Sequence, residues 1–218
     1  GLERNISIKL TQLGLDVDLA VCNVNVRRIL DLAKQHDFFV RIDMENSPYI
    51  AKTLDVFRGL WSEGYRCAGV VLQSAIFRAE DDAKAMNELG ARVRLVKGAY
   101  KEPSDVAYQA KADVDAAYIR IAKLLLKDGT YPAIATHDPK MIEATKAFAR
   151  EQGIPNDHYE FQMLYGIRRD LQASLRNDGY RMRVYVPFGK QWFPYFMRRL
   201  GERPANVAWV MKGVFGER

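Results

Sequence analysis

Arg94-Leu95-Val96-Lys97-Gly98-Ala99-Tyr100 joins an apolar strand pattern to a turn and brings two cations to its end. Arg94 and Lys97 are three apart, so in an ideal strand they face opposite ways. Both reach one ligand only if the strand ends near Val96 and turns at Gly98, a residue that permits close backbone approach. Six other stretches share this form. The seven predicted strands lie over 4–10, 38–44, 68–73, 92–98, 131–137, 159–164 and 181–188. The remaining six end near Lys9, Asp43, Gln73, His137, Gln162 and Tyr185.

Helical signals separate most of these strands. Ser47-Pro48 predicts an N-cap with proline at the first helical position, followed by Ile50, Leu54, Phe57 and Trp61, and Gly64 stops the run. Asp138-Pro139 repeats the entry, with Ile142, Thr145 and Phe148 following before Gly153 and Pro155. A helix is predicted from Ser104 to Lys127, with Val106, Ala110, Val114, Ala117, Ile121 and Leu124 on one face. Shorter helices are expected over 78–89 and 168–177. Strands alternating with helices imply a parallel sheet, and polar strand ends mark where such folds place ligands. An open sheet concentrates ligands at one switch point. Polar residues at every strand end instead favour a closed ring. Seven units fall one short of a (β/α)8 TIM-type barrel, so the expectation is α/β: a single catalytic domain over 1–218, N-terminally incomplete, with the first strand and preceding helices before Gly1.

Composition narrows the class. Of 218 residues, 48% are hydrophobic and 11% aromatic, enough for a packed core and against disorder. Cys22 and Cys67 fit no metal spacing and read as buried thiols of a reducing compartment. No apolar run approaches a membrane span. The net charge of +6 is uneven: from Arg168 to Arg218, 11 Lys or Arg stand against 4 Asp or Glu, and the first 167 residues sum to −1. A basic final quarter suits anionic ligands. There is no Gly-x-Gly-x-x-Gly, no Walker loop and no Gly-x-Ser-x-Gly elbow.

Three constellations could carry chemistry. Arg94 and Lys97 would suit a ligand with spread negative charge, or stand as solvated rim cations. Thr136-His137-Asp138 joins a strand end to a helix N-terminus, a natural anion site, although a lone histidine is often structural. Tyr195-Phe196-Met197-Arg198-Arg199 places two arginines and an aromatic wall on a short helix, a carboxylate clamp or an ordinary charged surface. His36 and His158 lie away from strand ends and read as surface or loop residues.

Together these segments resemble the proline dehydrogenase family, which includes the proline-oxidising domain of bifunctional proline-utilisation enzymes. The resemblance rests on Ser7-Ile8-Lys9-Leu10, the run from Arg94 to Tyr100, Ala135-Thr136-His137, and Glu160-Phe161-Gln162-Met163-Leu164. It continues through Arg183-Val184-Tyr185-Val186-Pro187 and Tyr195 to Glu202. It implies an FAD-binding (β/α)8 barrel that oxidises L-proline to Δ1-pyrroline-5-carboxylate by hydride transfer from proline C5 to flavin N5. Electrons pass on to a membrane quinone.

In such enzymes the matches to Arg198 and Arg199 clamp the substrate carboxylate. Those to Lys9, Asp43, Ala99, Leu164, Tyr185 and Tyr195 line the substrate pocket. The resemblance assigns flavin or flavin-tail contacts to Asp43, Gln73, Arg94, Lys97, Gly98, Ala99, Tyr100, Thr136, His137, Gln162, Leu164, Arg199 and Glu202. Lys9, Asp43 and Arg94 are the catalytic candidates, Arg94 near N5, with Asp43, Lys9 or water accepting the proton of the proline amine. Tyr185 should crowd a ring hydroxyl, making hydroxyproline a poor substrate. The expected location is cytoplasmic and peripheral at a bacterial inner membrane, with a mitochondrial setting left open, and no nucleic-acid partner is implied. Two other classes remain: a Schiff-base aldolase using Lys97 or Lys9, separable by borohydride trapping; and a basic nucleic-acid binder stacking bases on Trp192, Phe193 or Tyr195, separable by steep salt dependence.

Overall fold

The structure, a computed structural model, describes residues 3–190. Its strands are β1 (Asn5–Ile8), β2 (Phe39–Ile42), β3 (Ala68–Gln73), β4 (Arg92–Val96), β5 (Ala133–Ala135), β6 (Glu160–Leu164) and β7 (Arg181–Tyr185). Between them run α1 (Leu19–Gln35), α2 (Ser47–Ser62), α3 (Ala79–Glu88), α4 (Lys111–Asp128), α5 (Pro139–Glu151) and α6 (Arg169–Asn177). The strands pair in sequential order and all in parallel, so their C-terminal ends share one rim.

The register sorts every strand into two faces. Side chains alternate with period two. Val40, Ile42, Val70, Leu72, Val93, Leu95, Ile134 and Phe161 point outward and are essentially inaccessible. They pack against Leu30, Leu54, Phe57, Met86, Tyr118, Ile121 and Ile142 of the helices. Each fully buried aliphatic side chain here contributes about 1.5–3 kcal/mol. The other parity is mixed and carries the polar groups Ser7, Arg41, Asp43, Gln73, Arg94, Glu160, Gln162, Arg183 and Tyr185 among apolar ones such as Val71, Val96 and Ala133.

Curling of the sheet follows from the contacts of that polar face. Arg94 on β4 bonds Ser7 beside the far edge on β1, and Tyr185 on β7 bonds Asp43 after β2. In a flat sheet these pairs would lie about 14 and 24 Å apart. Only a sheet wrapped toward a ring brings them together. The fold is thus α/β, with seven parallel strands curled as in a TIM barrel. Gly69 shows how tightly the interior is filled. A Cβ there would lie 2.8 Å from Arg41 Nη1 and 2.5 Å from the Arg92 carbonyl, so the Arg41 guanidinium can cross β3 only over a glycine.

Several boundaries differ from expectation. β1 stops at Ile8, leaving Lys9 just beyond it, β5 shrinks to three residues, and β7 ends at Tyr185 rather than 188. The helix expected from Ser104 begins only at Lys111. Residues 104–107 turn back on the Pro103 carbonyl, and Ala107 bridges Ile76, with Tyr108 N–H donating to the Ala75 carbonyl at 2.8 Å. Tertiary pairing overrides the helical spacing of Val106 and Ala110 there. Asn46, not Ser47, occupies the N-cap of α2, without a side-chain bond. Helix α1 has no counterpart among the predicted elements. Its signals are the Asp18 cap, whose Oδ1 accepts from Ala20 N–H at 2.6 Å, and the stripe Cys22, Val26, Leu30 and Ala33. Cys22 is buried as expected, whereas Cys67 is only half-buried.

Candidate active site

The C-terminal rim gathers side chains from four other strands or their ends around Arg94. That guanidinium is 6% exposed. Its Nε donates to Gln162 Oε1 at 2.6 Å, Nη1 to Asp43 Oδ1 at 2.7 Å and Nη2 to Ser7 Oγ at 3.1 Å. The Tyr185 ring lies 5.4 Å from its Cζ, and the Tyr185 hydroxyl donates to the second Asp43 oxygen at 3.0 Å. A cation buried this deeply is tolerable because carboxylate, amide and ring surround it. Both Asp43 oxygens are therefore engaged, one by the guanidinium and one by the phenol.

A second layer lies one strand step below. Glu160, 3% exposed, accepts from Arg183 Nε and Nη2, both at 2.8 Å, and from Gln162 Nε2. Arg183 continues to Glu3 at 2.6 Å. Burial works to raise the Glu160 carboxyl, but the Arg183 bonds and charge, with Gln162 and Arg41, outweigh it and hold the group below the usual carboxylate range. Tyr131, which reaches Glu160 at 3.3 Å, is pushed up to about 12, first by burial and then by the Glu160 charge. Because Glu160 can only accept and Arg94 can only donate, the orientation of the Gln162 amide between them is dictated. Arg41, also in this layer, donates to the Val70 and Arg92 carbonyls at 3.1 and 2.6 Å. Burial, then the Arg94 charge, pulls it well below the ordinary guanidinium range. A guanidinium does not deprotonate in proteins, so Arg41 remains a buried cation.

The other expected site residues occupy the same rim in different networks. Gly98 turns the chain at φ +110°, and a Cβ there would lie 2.9 Å from Gln73 Oε1, so the turn after β4 requires glycine. That turn separates the two cations. Lys97 and Arg94 have different protein partners; the Lys97 ammonium lies between Asp115 at 2.5 Å and Asp138 at 2.7 Å. Asp138 caps α5 as expected, accepting from Lys140 N–H at 3.0 Å. Thr136 Oγ accepts from Asp138 N–H at 3.0 Å, and His137 Nε2 accepts from Leu164 N–H at 2.9 Å. The latter bond places the imidazole proton on Nδ1 in the neutral form. Lys9 reaches the Tyr100 hydroxyl at 3.4 Å, and Ala99 and Tyr100 are exposed beside it. Tyr195, Arg198, Arg199 and Glu202 lie outside the described residues. His158 is on the surface, as expected; a hollow that it lines with Lys127, Tyr131 and Ile154 shares Tyr131 with the lower charge layer and no residue with the Arg94 cluster.

One atom of the rim stands out. Gln73 donates through Nε2 to the Glu45 carbonyl at 2.8 Å, while its buried Oε1 has no partner among the described residues. An acceptor left unpaired at a strand end, beside the Gly98 turn, calls for an N–H or O–H donor from a ligand or water. Sequence reasoning did not single out Glu160, Arg183, Arg41 or Asp115. The first three were detectable, because each lies two residues from a foreseen site residue on a strand, hence on the same face. Asp115 comes from a helix and had no such signal.

Comparison with known proteins agrees with this geometry. The proline dehydrogenase family model matches residues 2–212. Proline dehydrogenase 2 of Bacillus subtilis is 48% identical over 98% of this chain and 70% of its own length. Proline dehydrogenase of Deinococcus radiodurans is 44% identical, with the same shares covered. Among solved structures, proline utilization A from Bdellovibrio bacteriovorus, inactivated by N-propargylglycine, superposes with a TM-score of 0.83 at 31% identity. That match covers 96% of this chain and 25% of that one. The chain thus spans about 70% of the curated single-function relatives and a quarter of the larger protein. On the sequence match, the curled parallel sheet and the rim cluster together, this chain belongs to the proline dehydrogenase family.

Proposed function

We propose that this chain oxidises L-proline to Δ1-pyrroline-5-carboxylate with FAD as cofactor and passes the electrons to a membrane quinone. Family membership supports the reaction class. The observation that carries the site assignment is Arg94, a buried cation locked by Gln162, Asp43 and Ser7 at the rim. The residues present suit FAD. Gln73 Oε1 is an unpaired acceptor, Gly98 admits close backbone approach, and Arg94 provides fixed positive potential for an electron-accepting ring.

FAD bound there supplies the hydride acceptor, so the protein needs no nucleophile of its own. Proline, reacting as the free amine, would give its C5 hydride to the bound flavin and its nitrogen proton to water, and its C5–N bond would become a double bond. Arg94 stabilises negative charge accumulating near it. Asp43 holds Arg94 and Tyr185 in place, and the Tyr185 ring forms a wall against the substrate. Lys9 and Tyr100 close the rim on the β1 side. The carboxylate clamp is assigned to Arg198 and Arg199 and the adjoining wall to Tyr195. Peripheral attachment at the cytoplasmic face of a bacterial inner membrane belongs to the same reading, supported by the basic final quarter. Among the described residues no helix is long and apolar enough to cross a membrane.

Lys97 lies between two carboxylates rather than in the apolar or cationic setting that activates a Schiff-base lysine, which disfavours that alternative at Lys97 and leaves Lys9 to the trapping test. The test is product formation. Protein loaded with FAD and given L-proline and a quinone analogue should yield a product trapped by o-aminobenzaldehyde. Borohydride inactivation with a carbonyl substrate, and no trapped product, would replace this function with the lysine chemistry.

A further inference from the structure

Residues 98–105 form an arch over the rim between two well-fixed ends. The start is held by Ser74 and Ala75 N–H donating to the Val96 and Lys97 carbonyls at 2.8 and 2.9 Å. The far end is held by Phe77 N–H on the Val106 carbonyl and Tyr108 N–H on the Ala75 carbonyl. From Ala99 to Asp105 every residue is exposed except Glu102, which is 9% exposed. A glutamate is buried only where something pairs with it. Here its Oε1 accepts from Ser47 N–H at 3.0 Å. Ser47 is the first residue of α2, whose own N-cap residue, Asn46, makes no side-chain bond. The carboxylate therefore meets an orphan amide and the positive end of a 16-residue helix. The Glu102 carbonyl also accepts from Gln109 Nε2 at 3.3 Å.

We infer that Glu102 is a positioning residue that latches the 98–105 arch onto the α2 N-terminus and so holds Ala99 and Tyr100 over the substrate position. The role assigned to Ala99 and Tyr100 rests on the proposed function; the latch itself does not. Its logic is economical: α2 lacks a local cap, the arch lacks any other buried anchor, and a single carboxylate supplies both. The acceptor oxygen matters more than bulk, so an amide at this position retains most of the effect and a methyl group does not.

The test compares Glu102→Ala and Glu102→Gln with the unmodified full chain. Amide exchange read on peptides covering 44–50 and 98–106, without proline, should speed up by about tenfold or more in the alanine variant, while β3, β4 and α4 stay unchanged. The glutamine variant should remain within about threefold of the parent, since its amide oxygen still accepts. With FAD bound, the alanine variant should show KM for L-proline raised about tenfold with kcat within about twofold. Unchanged exchange at both peptides would overturn the latch. Faster exchange with KM unchanged would overturn the positioning role. Uniformly faster exchange across the chain would make Glu102 a global stability residue and likewise end the proposal. If the unmodified chain fails to turn over proline, the function falls separately, and exchange still decides the latch.

Discussion

Replacing Glu160 with alanine removes the centre of the lower charge layer, and the structure sets the scale of the loss. The carboxylate accepts two guanidinium bonds at 2.8 Å from Arg183 and one from Gln162, at 3% exposure. Breaking a buried ion pair by deleting one partner costs about 3–5 kcal/mol. Arg183 keeps Glu3, an exposed partner at 2.6 Å, which puts the expected cost near the lower end, about 3 kcal/mol. With a urea slope of about 2–3 kcal/mol per molar, the unfolding midpoint at pH 7 should fall by about 1–1.5 M. The pH dependence gives an independent check. Glu160 titrates below its unfolded value. The unfolded chain therefore binds the proton more readily, and the stabilisation is present above the ordinary glutamate range and lost as pH falls through the folded value. The alanine variant should lose stability less steeply on acidification than the parent. A midpoint shift under about 0.3 M, or an unchanged acid limb, would refute the argument that the Glu160–Arg183 pair carries the layer.

Arg94→Lys keeps the charge but loses the fork that reaches Gln162, Asp43 and Ser7 together; FAD affinity should fall about 10–100-fold by fluorescence titration, and an unaltered dissociation constant would count against the hub. Asp43→Asn should slow anaerobic flavin reduction about tenfold or more while leaving its pH profile in place, because both carboxylate oxygens are already engaged in positioning; a lost or displaced ionisation would make Asp43 the proton acceptor instead. The Tyr185 ring is held by Asp43 and lies against Arg94, so kcat/KM for 4-hydroxy-L-proline should be at least about tenfold below that for L-proline, with Tyr185→Ser narrowing the gap; equal efficiencies in the unmodified chain would remove Tyr185 from the substrate wall.

Much of the fold was legible because its signals are local and periodic. All seven strands and their parallel pairing follow from apolar runs separated by capped helices. The polar residue at each strand end correctly marked one rim, since parallel strands share a direction. Helix α1 escaped notice although Asp18 and the Cys22–Val26–Leu30–Ala33 stripe announce it. The first turns assigned to α4 failed for a different reason: the pairing of Ala107 with Ile76 is non-local and outweighs the helical spacing of Val106 and Ala110. The same limit governs the site. Arg94 and Lys97 were grouped by adjacency, yet the Gly98 turn and two carboxylates from α4 and the start of α5 give Lys97 a separate environment. Asp43 meeting Tyr185 across 142 residues depends on curling of the sheet, which no local pattern encodes. Glu160 and Arg183 were within reach, because period two along β6 and β7 places them on the face of Gln162 and Tyr185. Glu102 was not, because nothing in an exposed run predicts which residue turns inward.

The central claim is that this rim binds FAD and reduces it with L-proline. The direct measurement is the visible spectrum of the purified chain with added FAD, followed by anaerobic L-proline. The account predicts a protein-bound flavin spectrum that bleaches on proline addition. A folded chain that binds no flavin, or binds it and leaves it oxidised under saturating proline, would contradict the claim.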